Sequence, residues 1–418
     1  MKLNTQVTDS VDFFQGNDPH DLVESYGSPL YVYNERIFRG KCRDVVNLCK
    51  YPLYSVNYAI KANTNLSLLR IAREEGLRAD VCSPGEIEAA FAAGYTADEL
   101  FYIGNNVSAE ELKFVSERDI LISVDSLALL DKLGRTVPGS RVAVRMNAGV
   151  GGGHHEKVVT GGNKTKFGIK PMDIPEIMEI LERHKLRLVG INHHIGSQNM
   201  GELFLEGARG LCNIAHMFND LEFIDFGGGL GIPHRKQAGE TSPDLIALGS
   251  NLDIIMKEFV ESYGKEIRFF FEPGKYVTAE CGVLLGSVEA TKDNGVTKFI
   301  GTDIGFSVLM RPVLYDAYHD IEVYRRNAVA ALPGEEVVSI VGNICESGDY
   351  LAKDIKLPII TEGDVLGVLD AGAYGYSMSS QYNHRQRPAE VLIQLDGSVR
   401  LIRRRDTYTD MLHNMVGI

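Results

Sequence analysis

A (β/α)8 barrel followed by an antiparallel β domain is the fold class this sequence predicts, and three observations carry the prediction. From about residue 30 to 280, short apolar runs alternate with amphipathic, helix-patterned stretches, as parallel strands joined by crossover helices do. About eight such units in about 250 residues favour a TIM-like barrel, although periodicity alone leaves an open doubly wound sheet standing. Beyond about residue 280 the helical pattern stops and strand-like runs separated by turn residues take over.

In chain order, the runs read as barrel strands are LYVYN (30–34), YSVNYAI (54–60), LFYIG (100–104), ILISV (120–124), RVAVRMN (141–147), LVGINHHIG (188–196), FIDFGG (223–228) and IRFFFEP (267–273). Helical patterns between them include LSLLRIAREEG (66–76), PGEIEAAFAAG (84–94) and PEIMEILERHK (175–185). GVLLGSVEATKD, TKFIGTDIG, EVVSIVG, DVLGVLDAG, AEVLIQLDG and SVRLIRRR then follow as strands of the second domain. The barrel is expected over residues 31–278, and the β domain over 279–418 with residues 1–30, which form either a helix capping the barrel or an added strand.

A chain of 418 residues exceeds one ordinary core, consistent with two domains. The net charge of −13 argues against a nucleic-acid or anionic-membrane surface and favours small-molecule chemistry. Cys42, Cys49, Cys82, Cys212, Cys281 and Cys345 include no C-x-x-C pair, so neither a zinc site nor a disulfide scaffold is expected. The first twenty residues lack the apolar core of a signal peptide, and no run reaches membrane-span length. These features predict a cytoplasmic enzyme with reduced thiols.

Catalytic groups of such a barrel belong at the carboxy-terminal ends of its strands. Lys61 is there, in YAIKAN, either as a solvated loop lysine or as an amine placed to form a Schiff base. Asp80, Arg145, Asn147, His194, Gly196 and Ser197 also fall near strand ends. His193 and His194 should face opposite ways along a strand, which makes them a poor metal pair. FGGGLG (226–231) offers backbone N–H groups to an anion, or is a sharp turn. GGGHH (151–155) and GGNKTK (161–166) lack the spacing of a phosphate loop and read as a mobile loop. Glu272, after three phenylalanines, is a solvated strand-end charge or the partner of a buried cation such as a protonated pyridine nitrogen. Cys345, in CESGD, is a loop thiol or a proton donor. An anion cradle, a partner for an aromatic nitrogen and a strand-end lysine together point to pyridoxal phosphate.

From about residue 28 to near the carboxy terminus the chain resembles the fold-type III pyridoxal-phosphate-dependent decarboxylases, in their diaminopimelate decarboxylase branch. The matches, in order, are YAIKAN (58–63), CSPGEIEAAFAAG (82–94), KFGI (166–169), HHIGSQ (193–198), GGGLG (227–231), EPGK (272–275), RPVLYDAYH (311–319), CESGD (345–349), AGAYGYSMSSQYN (371–383) and RPAEVL (387–392). The resemblance implies a barrel followed by a β-sandwich. It implies that Lys61 links to the cofactor, with Asp80 beside it and His194 stacked on the pyridine ring. Ser197, Gly227, Gly228, Gly229 and Gly274 would hold the phosphate, and Glu272 would keep the ring nitrogen protonated. Lys275, Arg311 and Tyr315 would bind the substrate's distal carboxylate, and Glu346 its distal amino group. Cys345 would supply a proton, and Tyr374 would reach both cofactor and substrate. A homodimer with shared active sites is implied as well.

In one position the chain departs from its relatives: Lys275 stands where EPGR has arginine, keeping the charge but losing the bidentate fork. The reaction implied is decarboxylation of meso-2,6-diaminopimelate to L-lysine and CO2, the last step of lysine synthesis. Decarboxylases of ornithine, lysine or arginine are the nearest rivals, but their substrates have no distal carboxylate for Arg311 and Tyr315. A racemase is disfavoured by Glu272, since racemisation is better served by a weaker electron sink. A cofactor-carrying protein without activity is disfavoured by the long second domain bearing CESGD.

Overall fold

The computed structural model describes residues 7–153, 155, 161–162, 165–197, 201–326 and 334–417. The chain divides into two compact units. One comprises Arg39–Ile232 with Ser242–Val277; the other takes the residues up to Phe38, Pro233–Thr241 and the residues from Thr278.

The first unit is a closed barrel of eight parallel strands. In order these are Tyr54–Ala59, Arg78–Val81, Leu100–Ile103, Leu121–Val124, Arg141–Arg145, Arg187–Asn192, Phe223–Asp225 and Arg268–Phe271. The ring closes where Phe269 pairs with Tyr54. Among the described residues, helices such as Leu66–Glu74, Pro84–Ala93 and Ile174–His184 alternate with the strands. Their ends obey local chemistry: Ser83 caps Pro84–Ala93 by accepting the Glu86 N–H, and Gly94 closes that helix in the left-handed region. Phe101, Phe223 and Phe270 fill part of the interior with Ala143 and Val189, their rings meeting edge to face at 5.6 and 5.4 Å.

Two strand assignments change. LYVYN, expected in the barrel, is Leu30–Asn34 in the middle of the second unit's sheet. It pairs antiparallel with Gly282–Asp293 and parallel with Ala389–Ile393. All five of its residues are buried, and a strand covered on both faces reads alike in either setting. The missing barrel strand is Arg78–Val81, which the apolar pattern passed over because two of its four residues are charged.

The second unit holds a sheet of nine strands. It is mixed rather than wholly antiparallel. Lys298–Thr302 runs parallel to Glu335–Val341, as Leu30–Asn34 does to Ala389–Ile393. Strands joined by long stretches of chain need no hairpin and can pair parallel. Gly282–Asp293 pairs with Leu30–Asn34 and Val365–Val368 through its first half. From Val288 on it pairs with Lys298–Thr302, with a register shift between Val288 and Ala290. Phe13, Phe14, Val32, Val283, Tyr324 and Val391 belong to the core of this unit. Part of the amino-terminal segment is therefore core here, with helix Pro19–Tyr26 following Phe13 and Phe14.

Candidate active site

Lys61 lies in a single 3-10 turn, Ile60–Ala62, directly after strand Tyr54–Ala59. The polar stretch behind it is local capping. Asn63 Oδ1 accepts the Asn65 N–H at 2.9 Å, and Asn65 Oδ1 accepts the Ser67 N–H at 3.0 Å to start the next helix. Lys61 Nζ donates to Asp80 Oδ2 at 2.6 Å and lies 3.7 Å from Cys82 Sγ. Asp80 is fully buried at the end of the neighbouring strand, paired with Ala59, whereas the lysine side chain is 38% exposed. A sealed carboxylate thus holds an amine that still reaches the barrel mouth.

The glycine run follows strand Phe223–Asp225 and is packed closely against neighbouring backbone. A Cβ at Gly227, where φ is +65°, would stand 2.0 Å from the His193 carbonyl oxygen; at Gly228 it would stand 2.1 Å from that of Glu272. The Gly228 N–H donates to His194 Nδ1 at 2.9 Å, so the proton of a neutral His194 ring is on Nε2. Burial, with Arg145 and Lys61 close by, pulls the His194 pKa well below its ordinary value and keeps the ring uncharged. His193 is buried, and burial brings it to about 3. Gly196 and Ser197 pair with Gly152 and Gly153 in a two-stranded ribbon. Residue 154 of GGGHH, residues 163–164 of GGNKTK and Gln198 of HHIGSQ lie outside the described residues.

Glu272 follows the last barrel strand, its N–H donating to the Gly227 carbonyl at 2.7 Å. It is 4% exposed, and Oε1 has no hydrogen-bond partner among the described residues. Burial, then the Asp225 and Asp80 carboxylates, raise its pKa well above the ordinary range. Arg145, also buried, stacks over Phe167 of KFGI at 4.5 Å and leaves Nη2 without a partner among the described residues. Gly274 is packed against Ala59 and Ala62, and Lys275, 6% exposed, opens the short helix Lys275–Thr278.

The second unit carries the other expected residues. Arg311 and Tyr315 begin and end one short helix. Arg311 is 2% exposed and donates through Nη1 to His319 Nε2 at 3.0 Å, while His319 Nδ1 is 2.7 Å from the Leu369 carbonyl. A carbonyl only accepts, so His319 carries its proton on Nδ1 and is neutral; burial lowers the Arg311 pKa, while Tyr374 and the Asp370 carboxylate act the other way. Tyr374 and Tyr315 both act electrostatically on Arg311, and Tyr374 is held at φ +58°, a costly conformation for a bulky residue. Cys345 and Glu346 are exposed on a loop. Asn383 Oδ1 accepts the Cys345 N–H at 2.7 Å, and the Tyr382 hydroxyl donates to Glu346.

The structure therefore gathers Lys61, Asp80, His194, Gly227–Gly229, Glu272 and Gly274 around the strand ends of the barrel. Arg311, Tyr315 and Tyr374 form a cluster in the second unit, with Cys345 and Glu346 on a loop there. Sequence reading missed Asp225, a fully buried carboxyl beside Glu272. Its one signal was an acid inside the apolar strand FID. The donor set fits pyridoxal phosphate: a backbone-lined glycine turn for a phosphate, an amine for an aldehyde, an uncharged imidazole for a ring face, and an unpartnered carboxyl oxygen for a ring nitrogen.

Comparison with known proteins agrees. Residues 38–279 match the pyridoxal binding domain of the pyridoxal-dependent decarboxylases. The chain is 41% identical to the diaminopimelate decarboxylase of Methanothermobacter thermautotrophicus, over 95% of this chain and 94% of that one. To the enzyme of the same name from Escherichia coli K12 it is 36% identical, over 94% of each. Among solved structures, diaminopimelate decarboxylase from M. jannaschii in complex with L-lysine superposes with a TM-score of 0.86 at 33% identity, covering 96% of this chain and 95% of that one. The chain belongs to the pyridoxal-dependent decarboxylase family, in its diaminopimelate decarboxylase branch.

Proposed function

We propose that this chain decarboxylates meso-2,6-diaminopimelate to L-lysine and CO2, completing lysine synthesis in the cytoplasm, with pyridoxal phosphate held at the barrel mouth. The observation that carries the substrate is Arg311: a buried guanidinium, fixed by a neutral histidine, beside Tyr315 and Tyr374. A cation so placed suits a carboxylate that ornithine, lysine and arginine do not have at their far end.

Lys61 anchors the cofactor's aldehyde, with Asp80 ordering the amine. Gly227 to Gly229, Gly274 and Ser197 would take the phosphate, and the neutral His194 ring would stack on the pyridine. Bound there, the cofactor supplies an electron sink for the pair left behind as CO2 departs. Glu272 holds the proton at the ring nitrogen. Arg311 and Tyr315, with Lys275, bind the distal carboxylate and Glu346 the distal amino group, which orients the reacting carboxylate for loss. Tyr374 touches cofactor and substrate. Cys345 delivers the proton that replaces CO2. We place Cys345 and Glu346 in the partner subunit's site, so that a homodimer has two composite centres.

The test is turnover of a panel of diamino acids by the purified protein with pyridoxal phosphate. Diaminopimelate is expected to exceed L-lysine and L-ornithine by orders of magnitude; equal turnover of L-ornithine would refute the assignment.

A further inference from the structure

Asp225 ends one barrel strand and Glu272 directly follows the strand paired with it, and both are sealed from solvent. Their carboxyl groups act on each other directly, within hydrogen-bonding reach. Two ionised carboxylates have no proton to share, so one of the pair is protonated. The other contacts say which. Asp225 Oδ1 accepts the Gly227 N–H at 2.8 Å, and Oδ2 accepts from Asn57 Nδ2 at 3.2 Å. Both oxygens of Asp225 are thus acceptors, and Glu272 supplies the O–H. The charges around the pair are Asp80, Lys61 and Arg145, with His193 and His194 kept neutral by burial. Burial also lifts Asp225, to about 7.

We propose that Asp225 is a positioning residue that keeps one proton in common with Glu272: the proton stays on Glu272 until a ring-nitrogen cation faces Oε1, and then resides on Asp225. This rests on the reading of Glu272 as the partner of the cofactor's ring nitrogen. The shift breaks the Glu272 O–H bond and forms an Asp225 O–H bond. The pair keeps one proton and one negative charge throughout, so no outside acid or base takes part. The hydrogen bond between the two survives with donor and acceptor exchanged, and Glu272 becomes an anion without releasing a proton through a closed core.

Infrared spectroscopy reads this directly, through the carbonyl band of a protonated carboxyl in a dry site. Wild-type protein freed of cofactor should show the band, and Glu272→Gln should lose it, because the glutamine amide donates to an ionised Asp225. On loading wild type with pyridoxal phosphate the band should shift and persist. Loaded Asp225→Asn should lack the band yet hold the cofactor, since its amide copies the protonated aspartate. Asp225→Leu, without a donor, should bind pyridoxal phosphate at least about tenfold more weakly. Absence of the band from cofactor-free wild type, or a band untouched in Glu272→Gln, overturns the shared proton. Loss of the band when wild type is loaded overturns the transfer alone, and failure of pyridoxal phosphate to bind overturns the reading of the site with it. Should Asp225→Asn not fold, wild type against Glu272→Gln decides the question.

Discussion

At the level of single residues, the proposed function gives Lys61 and Arg311 separate tasks. Reduction of the loaded protein with borohydride should fix the cofactor label on the peptide containing Lys61. Lys61→Ala should lose both the label and nearly all turnover, and a label on any other lysine would remove Lys61 from its role. Asp80 is left in the core without its cation in that variant, so circular dichroism must show that it folds. For Arg311→Ala, leaving the distal carboxylate unpaired should cost roughly 2–5 kcal/mol, which erodes the preference for diaminopimelate over L-lysine. Steady-state kcat/KM for both substrates measures it. Lys275→Arg should be tolerated if the lysine fills the arginine's place, and a large loss would mean that the pocket is built around lysine. Most of these residues stood out as candidates because they occur in motifs that match, in order, those of the resembling family. Asp225 was not: nothing in FID distinguishes an acid bonded to another acid from one at a solvated strand end.

At the level of elements, the loop after Phe223–Asp225 is tightly constrained. A methyl group at Gly228 would meet the Glu272 carbonyl at 2.1 Å, so Gly228→Ala must push two neighbouring strand-end loops apart. We expect pyridoxal phosphate affinity to fall by at least about tenfold, a change of about 1.4 kcal/mol, while far-ultraviolet circular dichroism stays the same. Unchanged affinity by titration would show that the turn is not the phosphate cradle. Elements were legible where hydrophobic pattern and fate coincide, as in Tyr54–Ala59 or Arg141–Arg145. Pattern failed in opposite ways at two strands. Leu30–Asn34 has the apolar run of a barrel strand but belongs to the other sheet, because periodicity records burial and not the partner. Arg78–Val81 is a barrel strand with little apolar run, because Asp80 is spent on Lys61.

For the whole molecule, the proposed shared-site dimer makes a quantitative prediction. Lys61→Ala and Cys345→Ala should each be nearly inactive. After subunit exchange about half the dimers are heterodimers, each with one intact site of two, so activity should recover to about a quarter of wild type per chain. Heterodimers seen by mass spectrometry without recovered activity would place both residues in one chain's site. The division into a barrel and a β domain was legible from the change of pattern near residue 280. What pattern could not show is that Pro233–Thr241 and residues 31–38 also join the second unit, since membership is settled by contacts far apart in the chain. The placement of Leu30–Asn34 between Gly282–Asp293 and Ala389–Ile393 also has a consequence for biosynthesis. This strand emerges from the ribosome among the first, yet its partner at Ala389 emerges roughly 20 to 70 s later at ordinary elongation rates. By the end of that interval every barrel strand has been made, while a strand that is buried along its whole length in the finished sheet still has one edge unpaired. A nascent chain halted just before Ala389 is therefore the form in which this protein most needs a chaperone.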